Sequence, residues 1–461
     1  MNTLIVLSVL PILVLYLGLY RAKSALLPVT VVGLLLALGL AIAAWTKHDD
    51  ALPIYHSMMR FDNYAIAFSS ITIISTILIL LLSKEYFERI SSHVAEYYAI
   101  ILFSLAGIIV MVSYYNLTML FIGIEIMSVS LYILAGIRKN DFASNEAALK
   151  YFLMGAFSTG FLLFGIALIY GASGSFNIEI IRDWVLAHPK EIDPLFYTGI
   201  MLIIVGLCFK VGAAPFHFWT PDVYEGSPTL ITAYMSTVAK TAAFAAFLRL
   251  FGACFQPLSD FWMPSLLIIT VITLFIGNIT ALYQQSFKRM LAFSSISHAG
   301  YLLFAIVAIG GGSANSVFVY ATAYSIASII AFGALILVQQ QSGTDNFDAF
   351  NGLAKKNPFL AFVLTVSMLS LAGIPLTAGF IGKFFVFSGA LSQYHTTMVI
   401  LAVINAIISI FYYFRVIIAM YFRDSEREQV AVPVYYNLVL GLAALITIAI
   451  GVYPEFITSL I

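Results

Sequence analysis

Apolar residues along this chain run in long blocks. They show neither the spaced rows of an amphipathic helix nor the alternation of a half-buried strand. Blocks of about 18 to 25 apolar residues are long enough to cross a bilayer as helices. Cores near 3–20, 26–46, 63–82, 96–113, 116–136, 146–171, 195–219, 229–253, 262–283, 288–310, 315–339, 358–391, 396–422 and 434–453 predict about 14 transmembrane helices. The widest connections, near 47–62, 172–194 and 340–357, are too short for a soluble domain. The pattern therefore predicts an all-α polytopic membrane protein, a single integral membrane domain over 1–461. The first block, MNTLIVLSVLPILVLYLGLYRAK, lacks a charged leader and a small-residue cleavage site, and reads as the first membrane helix rather than a signal peptide.

Two blocks are interrupted. In the seventh, GLCFKVGAAPFHFWTPDVYEGSPT, Gly212 and Pro215 follow Lys210; in the twelfth, SMLSLAGIPLTAGFIGKFFVF, Gly373, Pro375, Gly379 and Gly382 precede Lys383. Proline removes a backbone hydrogen bond and collides with the preceding turn, so both helices should break there and turn polar backbone towards a cavity. Broken helices at corresponding places point to two repeats. With five spans each, the second repeat starts on the opposite face, so the two are inverted. Helices 4–8 (about 96–254) and 9–13 (about 255–422) would be the units, with about 1–95 and 423–461 outside them.

Composition adds exclusions. The chain is 62% hydrophobic and 10% charged, which rules out a soluble globular domain, and its formal net charge of +0 gives no reason to expect a nucleic-acid partner. Cys208 and Cys254 lack metal-ligand spacing, and no GxGxxG or Walker motif is present, so no cofactor is expected in this chain. Basic residues set a topology. Arg21, Lys23, Lys84, Arg89, Arg138, Lys139, Lys288, Arg289, Lys355, Lys356, Arg423 and Arg427 fall in connections on one side. Only Lys47, Arg60, Arg182, Lys190 and Arg249 fall on the other. The bias predicts both termini on the non-cytoplasmic face.

The remaining basic residues lie within or at the ends of spans. A lysine at bilayer depth costs about 2.5–3.5 kcal/mol even on the insertion scale, so it faces protein or water and has a partner or a task. Lys210, Lys240 and Lys383 are read as proton-carrying groups. Glu125 in FIGIEIMSVS needs a cation beside it to stay ionised; the bland reading is a packing ion pair. Lys150 follows Glu146 by four residues, which also suits a local ion pair. His217 would share the face of Lys210 if its helix continued, and His298 sits near Ser294, Ser297 and Tyr301. Both are relay candidates, with a hydrogen-bonded packing histidine as the alternative. Arg415 reads as an anchor, and Asp222 and Glu225 as loop-fixing residues.

FKVGAAPFHFWTPDVYEGSPT, EAALKYFLMGAFSTG, FKRMLAFSSISHAGY and SLAGIPLTAGFIGKF together resemble the N-type antiporter-like subunits of proton-translocating NADH:quinone oxidoreductase, respiratory complex I. The wider family includes subunits of sodium/proton antiporters. M-type members carry glutamate where Lys383 stands here. L-type members continue into a lateral helix, whereas this chain stops at Ile461. The resemblance implies that Glu125 is the carboxylate paired with Lys210, that Lys240 relays to the second half, and that Lys383 is the exit-side lysine. Lys150, His217 and His298 would be accessory relay positions. It further implies a bacterial inner-membrane location, M-type and small K- and J-type membrane subunits as neighbours, and NADH, FMN, iron–sulfur clusters and quinone in partner subunits. The rival expectation is a subunit of a related cation/proton antiporter.

Overall fold

The computed structural model describes residues 2–45, 57–90, 93–188, 192–310, 312–393, 396–424, 430 and 432–458. Lys47, Lys190 and Arg427, used above in the charge bias, lie outside these residues. The described chain folds into α1 (Asn2–Leu19), α2 (Lys23–Trp45), α3 (Asn63–Leu81), α4 (Lys84–Ile90), α5 (Val94–Ser113), α6 (Leu117–Ala135) and α7 (Phe142–Ser173). There follow α8 (Ile178–Ala187), α9 (Pro194–Val211), α10 (Trp219–Gly226), α11 (Thr229–Tyr234) and, after a π-helical turn over Met235–Ala239, α12 (Lys240–Ala253). The second half holds α13 (Ser259–Leu282), α14 (Phe287–Val307), α15 (Ser313–Ser342), α16 (Leu353–Lys356), α17 (Pro358–Ala372), α18 (Ala378–Ser392), α19 (Thr396–Phe422), α20 (Val434–Val452) and α21 (Glu455–Thr458).

Thirteen of the described helical segments are long and apolar enough to cross a membrane. The twelfth block, expected to be a broken helix, consists of two helices, α17 and α18, of 15 residues each. At 1.5 Å per residue neither spans the hydrocarbon core alone. Expected charge positions shift as well. Arg249 and Lys288, assigned to connections from the sequence, lie inside α12 and α14 and are buried. Both stand near the margins of expected apolar blocks, and each is buried with a protein partner, Asp62 for Arg249 and the Glu225 and Ser227 carbonyls for Lys288.

The layering follows from what each helix can show to lipid. α11 to α12, α14 and α15 are buried throughout their spans, whereas α1, α2, α7, α19 and α20 expose large apolar side chains such as Leu36, Phe157, Ile407 and Leu438. Polar groups on the three central segments are thus screened from hydrocarbon, the one environment where they would be intolerable. Close approach is set by small residues. A Cβ on Gly123 of α6 would stand 2.7 Å from the Met111 nitrogen of α5, so only glycine lets these two backbones meet.

Both interrupted helices stop in the same way. α9 ends at Gly212 (φ 72°) and α17 at Gly373 (φ 84°), each in the left-handed conformation that glycine adopts without a Cβ penalty. Beyond the glycine the chain turns back on the helix end: Ala213 N–H donates to the Cys208 carbonyl (2.8 Å) and Ile374 N–H to the Leu369 carbonyl (3.0 Å). α18 then resumes the second crossing, whereas after the first break the eight-residue α10 lies on the connection that leads to α11. Matching backbone bridges, Asn116 with Asn177 and Ser286 with Asn346, tie the N-cap residues of α6 and α14 to the loops after the following long helices.

Gly373→Ala should be costly for two independent reasons. An alanine in the left-handed region loses about 1–2 kcal/mol, and its Cβ would sit 2.7 Å from Lys383 Cδ. A lower melting temperature of the purified protein, together with impaired transport, is expected; unchanged values for both would refute the role given to this turn.

Candidate functional site

The first centre is built on α6. Glu125, Ser128 and Tyr132 fall three, four and seven positions from one another and so share one face of the helix. Lys210 enters from the last turn of α9, just before the break, and is buried. Its Nζ donates to Ser128 Oγ (2.9 Å) and Tyr132 Oη (3.4 Å). Among the described residues no ion pair joins Lys210 to Glu125, and Glu125 Oε1 is buried without a hydrogen-bond partner. This corrects the expected direct pair. Two hydroxyls on the carboxylate's own helix lie closer to the amine, so a hydroxyl shift or a bridging water is needed to join the two charges. Tyr132 reaches this position because Gly155 of α7 leaves room: a Cβ there would lie 2.2 Å from the hydroxyl.

Aromatic residues fill the space towards the second centre. Tyr132 packs edge-on against Tyr151 (4.8 Å between centroids), Tyr151 stacks on Trp219 (4.6 Å), and Trp219 meets Tyr224 (6.0 Å). Tyr224 is fully buried on α10 and reaches Ser295 of α14. Lys240 also converges on Ser295, donating to its carbonyl (2.9 Å) and its hydroxyl. The π-helical turn ends at Lys240. Such turns widen a helix by one residue per turn and recur at functional sites.

The third centre joins α14, α15 and α19. His298 Nδ1 lies 2.7 Å from Tyr320 Oη and its Nε2 3.0 Å from Tyr413 Oη, while Tyr413 also bonds Ser294. His298 lies within electrostatic reach of both Lys240 and Lys383. Lys383, five residues into α18, folds back so that Nζ donates to the Leu371 (3.2 Å) and Ala372 (2.7 Å) carbonyls. These are last-turn carbonyls of α17, left without helical partners and at the negative end of the helix dipole. A cavity with room for about one water lies beside His298, Tyr320, Ser370 and Leu371. The break therefore supplies the seat for the lysine, a relationship that the twelfth block displays only as spacing.

Two candidates are placed elsewhere. His217 does not share the face of Lys210, because α9 has stopped at Val211; it is buried in the loop before α10 with Nδ1 unpartnered, and no hydrogen bond links it to the lysines. Lys150 lies at one end of the bundle, bound to Glu146 (2.7 Å) and Asp222 (2.8 Å). Asp222 also receives Arg289 (3.2 Å), which pairs in turn with Glu225. Lys288 donates to the Glu225 and Ser227 carbonyls, so the loop carrying α10 is clamped from two sides. Arg415 anchors α19 to the turn between α13 and α14, donating to the Gln284 carbonyl (2.8 Å) and Gln285 Oε1 (2.7 Å).

Burial alone would raise the Asp222 carboxyl, but the hydrogen bonds and charges of Lys150 and Arg289 outweigh it and hold the group below its usual range. A depressed carboxylate stabilises the fold above its unfolded value and loses that contribution as pH falls through the folded one. Asp222→Asn should therefore lower the melting temperature near neutrality and flatten its decline below about pH 4. Parallel acid melting curves for the variant and wild type would count against this clamp.

Sequence reasoning passed over Ser128, Tyr132, Ser295, Tyr320 and Tyr413. Ser128 and Tyr132 carried a usable signal, their helical register with Glu125. Tyr413 carried none, since its partners are more than a hundred residues away.

A family model described as NADH:quinone oxidoreductase/Mrp antiporter, TM, matches residues 114–409, which include Glu125, Lys210, Lys240, His298 and Lys383 but not Tyr413. NADH-quinone oxidoreductase subunit N of Flavobacterium psychrophilum is 40% identical over 462 residues and covers 100% of both chains. A chain in the structure of respiratory complex I from Thermus thermophilus with bound aureothin superposes with a TM-score of 0.83 at 31% identity, over 99% of this chain and 98% of that one. A chain of the Mrp complex from Dietzia sp. DQ12-45-1b shares the fold, with a TM-score of 0.87 at 19% identity, over 99% and 95% of the two chains. With its buried lysines on broken helices, its family match and its end-to-end relative, this chain belongs to the antiporter-like membrane subunits of the NADH:quinone oxidoreductase/Mrp family, in the subunit N group.

Proposed function

We propose that this chain is a proton-translocating membrane subunit of an NADH:quinone oxidoreductase, a translocase in which NADH oxidation and quinone reduction occur on partner subunits. The observation that carries this reading is the succession of buried lysines. Lys210, Lys240 and Lys383 each donate to neutral hydroxyls or carbonyls rather than to a carboxylate, so each can release its proton without breaking an ion pair. Hydroxyls and an imidazole between them can pass a proton onward, through water where the gaps require it. Glu125 stands beside the first of them and sets its proton affinity by moving towards or away from it.

In this reading the two halves are inverted repeats, about 96–254 and 255–422. A proton enters through the first, crosses from Lys210 by way of Lys240 and His298, and leaves beyond Lys383. Asp222 and Glu225 are already paired with cations, so they act as the clamp of α10 and not as a proton antenna. The protein resides in a bacterial inner membrane with both termini on the outer face, as the basic-residue bias favours. M-type and small K- and J-type subunits flank it. FMN, iron–sulfur clusters and quinone belong to those partners or to others in the assembly.

The family also includes Mrp antiporters, which supports a second reading as part of a cation/proton exchanger. Affinity purification from membranes separates the two: flavin and iron–sulfur proteins should accompany the tagged chain, and their absence would favour the exchanger. A substitution tests the chemistry itself. Lys210→Arg should transport poorly, about tenfold below wild type, because guanidinium stays protonated where an amine can let go. Full transport by Lys210→Arg would exclude deprotonation at this position.

A further inference from the structure

We propose that the end of the bundle opposite Lys150 carries a binding site for one phosphate group, in a cleft between α3, α12 and the start of α15. The open cleft has room for about 550 Å³, and the charged residues lining it are Arg60, Asp62 and Arg249, with Glu179 3.4 Å from Arg60. Asp62 is already committed: its Oδ1 accepts from Arg249 Nη2 (2.6 Å) and caps α3 through Ala65 N–H (2.8 Å). That leaves guanidinium capacity without an acceptor. The Nε–H of Arg60 and that of Arg249 are both buried and unpartnered, and Arg249 is only 7% exposed. These two Nε–H groups have no accessible surface, so an anion in the cleft meets the guanidinium charge and the outer Nη groups rather than these donors.

An independent feature faces the same space. Gly310, Ser313 and Ala314 line the cleft at the start of α15, a 30-residue helix whose N-cap, Gly312, provides no side-chain acceptor. Ser313 N–H already donates to the Gly310 carbonyl (3.1 Å), so it is the positive end of the helix dipole that adds to the two arginines. Tyr115, which accepts from Arg60 Nη1 (2.7 Å), and Gln256 supply neutral groups at the rim. Planar guanidinium donors with helix N–H groups suit the oxygens of a phosphate better than a lone carboxylate. The phosphate can come from the headgroup of an anionic phospholipid at the membrane surface or from free inorganic phosphate.

The test uses the full chain in the complex with which it purifies. After delipidation, wild type, Arg60→Gln and Ala314→Glu are titrated separately with phosphatidylglycerol and with inorganic phosphate, following bound lipid by native mass spectrometry and melting temperature in both arms. Arg60 is the better probe because its contact with Glu179 (3.4 Å) is exposed and contributes little to stability. The Ala314→Glu carboxylate stands in the first turn of α15, where it suits the dipole, so this variant should fold while repelling an anion. Saturable stabilisation of wild type, weakened about tenfold or more in both variants, is expected. Response to the lipid alone assigns a headgroup, and response to inorganic phosphate assigns the free ion. Equal responses of all three proteins to both ligands, or a partner subunit's carboxylate filling the cleft in the assembled complex, would overturn the site.

Discussion

Lys240→Met in an otherwise intact complex is expected to depress NADH-driven proton pumping and quinone reduction together, by about tenfold or more. A tenfold loss corresponds to only about 1.4 kcal/mol on the rate-limiting barrier. Removing the amine should exceed that, because it deletes the proton-carrying group that converges with Tyr224 on Ser295. Methionine matches the lysine stem in length and tolerates irregular packing, so the bundle should assemble. The loss of electron transfer is the informative part, since the proposed function puts the redox chemistry on partner subunits. Electron flow can slow only if the two processes are obligatorily coupled. A variant that reduced quinone at the wild-type rate while pumping less would point to slippage and separate the chain from control of the redox reaction.

Glu125→Ala should have an effect of similar size, and its combination with Ser128→Ala and Tyr132→Phe tests how the carboxylate acts. Because the amine now donates to Ser128 and Tyr132, a carboxylate that moves towards Lys210 has to take the place of these hydroxyls, so the three groups are expected to act together. Glu125→Ala alone is expected to lower pumping by about tenfold. Adding the hydroxyl deletions should cost little more, as expected for groups acting as one unit. Glu125→Asp should be milder, for the charge survives with a shorter reach. Additive losses in the triple variant would mean that carboxylate and hydroxyls act independently, and full activity of Glu125→Ala would remove the carboxylate from the account.

Much of this architecture was legible in the chain because the bilayer imposes a harsh rule on composition. Lys210, Lys240 and Lys383 announced themselves as charges in apolar blocks, and Gly212 and Gly373, each with a proline close behind, announced the breaks. The partners were less legible. Serine and tyrosine are common in membrane helices and say little until a fold brings them together, as with Tyr413 and His298 on α19 and α14. The π-helical turn before Lys240 has no sequence signature of the kind that glycine or proline provides. Burial of Arg249 and Lys288 was hidden for the opposite reason. Each stands at the edge of an apolar block, where charge ordinarily means solvent, and only Asp62 or the carbonyls of Glu225 and Ser227 make burial tolerable.

His217 carries a different lesson. Its seven-residue spacing from Lys210 is meaningful only along a continuous helix, and the glycine and proline that mark the break were already in view. Helical register and helix interruption cannot both hold over the same stretch. The structure resolves the conflict in favour of the interruption.

The account turns on one connected route through the middle of the bundle, and water is the part of that route that side chains alone do not supply. A map of the assembled complex at a resolution that resolves individual waters tests it most directly. The account predicts ordered water bridging Tyr132 and Tyr224 towards Ser295, and a further molecule in the cavity beside His298 that brings it within hydrogen-bonding distance of Lys383. A dry, sealed apolar gap between Lys240 and Lys383 in every resolved state would contradict it.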